Sequence, residues 1–409
     1  MKMNKRGLLL IGLVVMGQMA VSQEKPIADG MEKFLGNVYS SSQLSGYETY
    51  WNQVTPENAG KWGSVERTRD NYDWATLDAA YNFAKENDFV FRFHVLIWGN
   101  QQPSWIEDLP VEEQLEEITE WMDAVAERYP DVDYLEVVNE PINDPPSGAG
   151  NGNYIDALGG RGASGYDWIV TAFTMARERF PNAKLVINEY NIVSSSSNAN
   201  KYKRIIELLQ ADNLIDVIGV QAHAFSTTGS STAITDQLDK LGDTGLPIMV
   251  TEMDIDGSTD QIQLDEYKRV FPLFWEHESV IGVTLWGWRS GMWRTAQKAY
   301  LINTDGTERP ALAWLREYAS TPIDLTVLGW KNHSNLELFP NPVVDGQLTV
   351  RSKEPVHQVT LYDLSGHLVA DFSPMEGQEV SLSLNLTSGI YLLKVQGTTK
   401  SELRKIVIK

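Results

Sequence analysis

Hydrophobic and polar positions follow one rhythm over most of this chain and a different one over its last fifth. From about residue 32 to 319, short β-branched and aromatic runs recur between longer stretches with helical spacing. The strand-like runs lie at 34–39, 50–55, 89–98, 134–139, 184–188, 217–222, 247–251 and 280–286. Between them the spacing predicts helices over 74–87, 112–129, 166–180, 199–211, 232–241 and 265–277. Near-continuous apolar runs suit parallel strands buried on both faces. Alternating β and α elements imply a parallel sheet with right-handed crossovers. Eight such units within roughly 290 residues favour closure into an α/β (β/α)8 TIM barrel over an open doubly wound sheet. No glycine-rich phosphate loop follows the first run, which counts against a nucleotide-binding sheet.

After residue 319 the rhythm changes. Residues 320–334 read as a linker, and 335–409 as short alternating strands at 348–350, 359–363, 380–385, 390–395 and 405–409. Turns are marked by Asp345-Gly346, Ser365-Gly366 and Ser388-Gly389, so this segment is expected to be a small β-sandwich. Composition divides at the same place. All 13 tryptophans lie between Trp51 and Trp330, and from Asn335 onward acidic and basic residues nearly balance. His357 and His367 stand alone at turns or edges of the tail, which suits solvated histidines rather than ligands.

The first 22 residues stand apart from both patterns. Lys2, Lys5 and Arg6 precede the apolar run 8–16, and Ala20-Val21-Ser22 offers a small-residue cleavage site. This is the layout of a secretory signal peptide. A membrane anchor is the alternative, but the run is shorter than the ~20 residues a spanning helix needs. The expected domains are therefore a leader at 1–22, a barrel at 23–319, a linker at 320–334 and a sandwich at 335–409. The chain has no cysteine, so its stability must come from an ordinary core. A formal charge of −21 disfavours nucleic acid and anionic membrane as partners, both being polyanions, but not neutral carbohydrate.

Candidate chemistry sits at the ends of the strand-like runs. In a barrel of this kind, polar residues at strand C-termini line the active site. Glu140 ends the run Val137-Val138-Asn139, and Glu252 follows Pro247–Thr251. The second run leads into Glu57, Asn58, Lys61 and Trp62, and the third through His94 to Trp98, Gln101 and Trp105. The fifth ends in Asn188-Glu189-Tyr190-Asn191, the sixth in Gln221-Ala222-His223, and the eighth in Trp286, Trp288 and Trp293. Amides and charged groups bind hydroxyls, and aromatic rings cover the apolar faces of pyranoses, so the mixture suits a sugar chain. Two carboxyl groups facing each other across the rim are what glycosidic bond hydrolysis requires.

These motifs carry a family resemblance over about residues 33–319. Val54-Thr-Pro-Glu-Asn58 with Lys61-Trp62, Trp98 with Gln101-Gln-Pro-Ser-Trp105, Val137–Pro141, Gln221–His223, Thr251–Asp254, and Trp286-Gly287 with Trp293 resemble glycoside hydrolase family 10, the retaining endo-β-1,4-xylanases. The resemblance implies a (β/α)8 barrel needing no cofactor or metal, with Glu140 as acid/base and Glu252 as nucleophile. It implies a substrate-binding set of Glu57, Asn58, Lys61, Trp98, Gln101, Asn139, Gln221, His223, Trp286 and Trp293. Asn139 is expected on the sugar 2-hydroxyl, and His223 beside Glu252 to keep it ionised. The expected partner is xylan or xylo-oligosaccharide, bound by a monomer.

Two positions depart from the family pattern. Gly99 stands where the family usually places a histidine, which is expected to leave space for Asn100 or a substrate decoration; Arg289 is also uncharacteristic. The tail at Leu338–Val343, Val359–Gly366 and Ser388–Val395 resembles the C-terminal sorting domain of the type IX secretion system, implying export to the cell surface or medium. The alternatives are a non-catalytic xylan-binding protein on the same barrel, a retaining β-glucanase or mannanase, and, for the tail alone, a carbohydrate-binding sandwich.

Overall fold

Strands and helices alternate as the apolar rhythm requires. The computed structural model describes residues 25–146, 153–320, 336–362, 368–372, 377–387, 389–398 and 401–408. The expected leader, the expected linker beyond residue 320, and His367 lie outside these residues. Eight parallel strands close in chain order: β1 (Phe34–Tyr39), β2 (Gln53–Pro56), β3 (Val90–Phe93), β4 (Tyr134–Asn139), β5 (Lys184–Asn188), β6 (Val217–Val220), β7 (Ile248–Met253) and β8 (Val280–Leu285). Closure is direct, with Phe34–Asn37 of β1 in parallel register with Gly282–Leu285 of β8. The helices are α1 (Trp62–Val65), α2 (Ala75–Glu86), α3 (Val111–Arg128), α4 (Asp167–Arg179), α5 (Ser196–Ala211), α6 (Ser231–Gly242), α7 (Asp260–Trp275) and α8 (Pro310–Ser320).

The helix α3 shows how sequence sets an element. Pro110 precedes it, Glu112 and Glu113 occupy its first turn, and Arg128 its last, each charge favourable to the helix dipole. Ile118, Trp121, Met122 and Val125 recur at helical spacing and are fully buried. The Trp121 ring stacks on Trp62 and Trp74 with centroids 5.9 and 5.8 Å apart, pinning α3 to the loops above β2.

Inside the barrel, polar side chains are buried but paired. The Gln53 amide donates to Val54 O at 2.8 Å and Thr55 Oγ1 at 2.9 Å, and accepts from Thr284 Oγ1 at 2.7 Å. Gly36 makes room for it: a Cβ there would fall 2.0 Å from Gln53 Oε1. Nearer the site, the fully buried Arg92 of β3 pairs with Glu136 of β4 and donates to Thr251 O at 2.8 Å.

Among the elements that differ from expectation, three belong to the barrel's layout. β2 begins at Gln53 rather than residue 50, because residues 47–51 wind into a tight turn in which Tyr50 and Trp51 N–H both donate to Tyr47 O. β3 stops at Phe93, and pairing with β4 resumes where Leu96 and Ile97 donate to the Glu136 and Val137 carbonyls at 3.1 and 3.0 Å. His94 therefore lies at the strand's mouth rather than within it. The unanticipated α8 carries Ala311, Leu312, Leu315 and Ala319 as its buried face and extends through Ser320.

The tail forms two antiparallel sheets from β9 (Leu336–Phe339), β10 (Gln347–Ser352), β11 (Val356–Tyr362), β12 (Leu368–Asp371), β13 (Glu379–Ser383), β14 (Gly389–Gly397) and β15 (Ser401–Ile408). One sheet runs β13-β10-β9 and the other β12-β11-β14-β15. They share a core that includes Leu348, Val350, Val359, Leu361, Leu393 and Val395, the arrangement of a small sandwich. The chain divides into compact units at 1–323 and 324–409.

Candidate active site

The strand ends of the barrel open into one cleft of about 470 Å³. Glu57, Asn58, Lys61, Trp98, Gln101, Asn139, Glu140, Gln221, His223, Glu252, Trp286 and Trp293 all line it, so every residue predicted for the site is brought together. His94, Asp144, Tyr190 and Phe225 line it as well and were not in the predicted set.

Glu140 follows the last residue of β4 with a φ of 54°. A non-glycine residue in this left-handed region is strained, and the surroundings must hold it there. Its N–H donates to Asn188 O at 2.8 Å, and its carbonyl accepts from Asp144 N at 2.9 Å. Gln221 Nε2 donates to its Oε1 at 2.7 Å and Trp98 Nε1 to its Oε2 at 2.9 Å. Burial pushes the Glu140 carboxyl up to about 9, and the negative charge of Glu252 adds to the rise; the Gln221 hydrogen bond opposes it.

Glu252, on β7, has the opposite environment. Burial disfavours its charge, yet the His223 hydrogen bond and the positive potential of His94, His223 and Arg92 outweigh burial and hold it at about 2. Asn188 Nδ2 donates to its Oε1 at 2.7 Å, and His223 Nε2 lies 3.4 Å from its Oε2. The far nitrogen of His223, Nδ1, sits 2.8 Å from Asp254 Oδ2. Burial lowers the imidazole's affinity for protons, but Asp254 and Glu252 on either side raise it to about 9. At neutral pH, Glu140 is thus protonated and Glu252 ionised against an imidazolium.

The remaining groups are fixed by one another. Asn139 Oδ1 accepts from Asn188 Nδ2 at 3.1 Å and Gln221 Nε2 at 3.2 Å, so three amides link the two glutamates. Lys61 Nζ donates to Asn58 Oδ1 at 2.8 Å and Gln101 Oε1 at 2.5 Å. Asp254 Oδ2 also accepts from Trp293 Nε1 at 2.9 Å, which orients a ring that is 49% exposed over the cleft. His94, Glu136 and Glu252 each offer one metal-ligand atom within 4.8 Å of the others. Those atoms already have partners: Arg92 and His94 on Glu136, Asn188 and His223 on Glu252.

Gly99 does not open the space expected of it. No space is left there, because a Cβ would fall 2.1 Å from Asp144 O and 2.3 Å from Pro145 O. The segment after β4 fills the position, with Gly99 N donating to Asp144 O at 2.9 Å. Asn100 is exposed, lies outside the cleft lining, and accepts from Gln101 N. Two groups outside the predicted site set share in the site. Asn188 is marked in the sequence as a strand-end residue, since it ends β5 as Asn139 ends β4. Asp254 is marked by its position two residues beyond Glu252 on the same strand face.

Residues 23–318 match the model of glycosyl hydrolase family 10, and residues 337–409 that of the secretion system C-terminal sorting domain. The chain is 38% identical over 288 residues to endo-1,4-beta-xylanase B of Cellvibrio japonicus, covering 69% of this chain and 45% of that one. It therefore spans less than half the length of that relative. It is 32% identical over 262 residues to endo-1,4-beta-xylanase A of Caldicellulosiruptor saccharolyticus, covering 58% of this chain and 75% of the relative. Among solved structures, a family 10 protein from Paenibacillus barcinonensis superposes with a TM-score of 0.64 at 26% identity, over 73% of this chain and 98% of that one. With a closed eight-stranded barrel, two glutamates at its mouth and a family match over residues 23–318, the chain belongs to glycosyl hydrolase family 10 and carries a type IX sorting domain at residues 337–409.

Proposed function

We propose that this protein is an exported endo-β-1,4-xylanase that cleaves internal bonds of xylan with retention of anomeric configuration. The observation that carries the reading is the opposite ionisation of two glutamates in one cleft: Glu140 pushed up to about 9 and Glu252 held at about 2. Pairs of carboxyls separated in this way divide into acid and nucleophile. Glu252 attacks the anomeric carbon as Glu140 gives its proton to the departing glycosidic oxygen. A covalent glycosyl ester forms and the glycosidic bond breaks. Glu140, now a carboxylate, takes a proton from water, whose oxygen displaces Glu252 and releases the sugar. Retention of this kind requires the carboxyl groups to be ~5–5.5 Å apart.

The surroundings support these roles. The oxygen of Asn139 is taken by Asn188 and Gln221, which leaves its NH2 for the sugar 2-hydroxyl. Lys61, Asn58 and Gln101 form a tied cluster for the sugar that stays on Glu252, with Glu57 beside them and Trp98, Trp286 and Trp293 as ring surfaces. The relatives named above are xylanases by name. The sorting tail supports export by type IX secretion. The proposal includes removal of a leader at 1–22 and a catalytic domain at 23–319 that acts as a monomer.

The test uses Glu140→Ala and Glu252→Ala on xylan, carboxymethyl cellulose and mannan in parallel. Loss of a positioned proton donor costs about 10²–10⁴-fold, and the nucleophile variant is expected to lose at least as much. Near-parental turnover by either variant would overturn the assignment, as would cellulose or mannan being the preferred polymer. Binding of xylan without release of reducing ends would instead mark a non-catalytic barrel. Proton NMR should show the β-anomer first.

A further inference from the structure

A second group of carboxylates lies outside the cleft lining. Glu66, just past α1, and Asp70 belong to the connection between β2 and α2, and Glu117 belongs to α3. Each brings one carboxylate oxygen to within 4.8 Å of the others. Glu66 and Glu117 are buried, whereas Asp70 is exposed.

One buried oxygen in this group is left over. Glu117 is 3% exposed; its Oε1 accepts from Arg69 Nε at 2.6 Å, and its Oε2 has no hydrogen-bond partner. A buried charge is normally paired or bound to a metal. Glu66 accepts from Trp62 Nε1 at 2.7 Å and Asp70 N at 2.8 Å, which leaves lone pairs on both oxygens. Arg69 also pairs with Glu113 at 3.1 Å, so its single positive charge is shared among several carboxylates. Burial raises the pKa of Glu66 and Glu117, and the acidic groups around them add to the rise. A trapped water satisfies Glu117 Oε2 but leaves the repulsion among three carboxylates, whereas a divalent cation answers both.

The donor chemistry selects the ion. Carboxylate oxygens without imidazole or thiolate suit a hard cation. Magnesium keeps much of its water shell and uses one or two carboxylates, whereas calcium takes about 6–8 oxygens in flexible geometry. The exposure of Asp70 leaves one side open to the waters that complete such a shell.

We propose that Glu66, Asp70 and Glu117 form a calcium site that fastens the loop bearing the Lys61 cluster to α3. The link to the cleft is short. Lys61 precedes Trp62, whose indole is held by Glu66, and Gly63 N donates to Gln101 O at 3.1 Å. None of the three ligands lines the cleft, so the ion holds the loop in place and takes no part in bond cleavage.

The experiment titrates calcium into the chelator-treated full chain by calorimetry, beside Glu117→Gln and Asp70→Asn. The second variant is the gentler one, because Asp70 is exposed and asparagine tolerates the φ of 64° found there. The parent should bind calcium with a dissociation constant on the order of 10⁻⁴ M, within the range of extracellular calcium modules. Each variant should bind at least about tenfold more weakly, having lost one ligand charge. At roughly 100 times that constant, calcium should raise the parent's barrel melting transition by about 4 °C. Magnesium at the same concentration should give less than half that shift, and calcium should shift Asp70→Asn equally little. Absence of calcium binding by the parent would overturn the proposal. So would an equal shift with magnesium, or parental affinity and parental shift in Asp70→Asn.

Discussion

At the scale of single residues, the cleft separates two identical side chains by their neighbours. Glu140 and Glu252 are both buried, and burial raises the pKa of any carboxyl. Only Glu252 has an imidazolium and a guanidinium nearby to reverse the effect. Activity should therefore fall as pH rises through about 9, where Glu140 loses its proton and His223 its charge. The same shift has a cost in stability. The unfolded chain releases the Glu140 proton near 4.5 and the folded chain near 9, so this residue makes the fold progressively less stable over that interval. Glu140→Gln removes the titration, and its thermal midpoint should exceed the parent's by a margin that grows from pH 4.5 to 9. A margin that does not change with pH would show that Glu140 is not held protonated. The sequence made both glutamates legible because each closes an apolar run. It did not reveal that Asp254 holds both His223 and Trp293, since one carboxylate serving partners from β6 and the β8 loop is a property of closure.

At the scale of elements, the strands were readable and their ends were not. Apolar runs locate a strand, but hydrogen bonding decides where it stops. β2 yields its first residues to a turn, and β3 breaks off before His94. In the tail, β12 is illegible in the sequence because three of its four residues are exposed, so it carries no alternation. Adjacent strands are also tied by charge. Arg92 of β3 and Glu136 of β4 form a fully buried pair beneath the cleft. Replacing one partner of such a pair leaves the other charge uncompensated and costs about 3–5 kcal/mol. Arg92→Met should lose that much in denaturant unfolding. Arg92→Met combined with Glu136→Gln should recover a large part of it, and a double variant as unstable as the single one would refute the account.

At the scale of the whole molecule, the barrel and the tail each have their own core, one mixing large aromatics with aliphatic residues and the other of valine, leucine and isoleucine alone among its fully buried members. Independent cores fold and melt as independent units. Calorimetry of the full chain should resolve two transitions, and a chain ending at residue 323 should keep the upper or lower one unchanged. Its kcat/KM on xylan should stay within about twofold of the parent, because the residues that line the cleft all belong to the barrel. The uneven distribution of tryptophan had already marked this division.

The contact between Gly99 and the 144–145 backbone also bears on which substitutions this chain can accept. A side chain at 99 meets carbonyl oxygens it cannot push aside, so the two positions are coupled and cannot be altered independently. A histidine at 99 demands a shift of the segment after β4, and without that shift it carries the clash. Gly99 thus acts as a keyhole cut to a main-chain key, and redesign of this side of the cleft has to start from the loop after β4 rather than from residue 99.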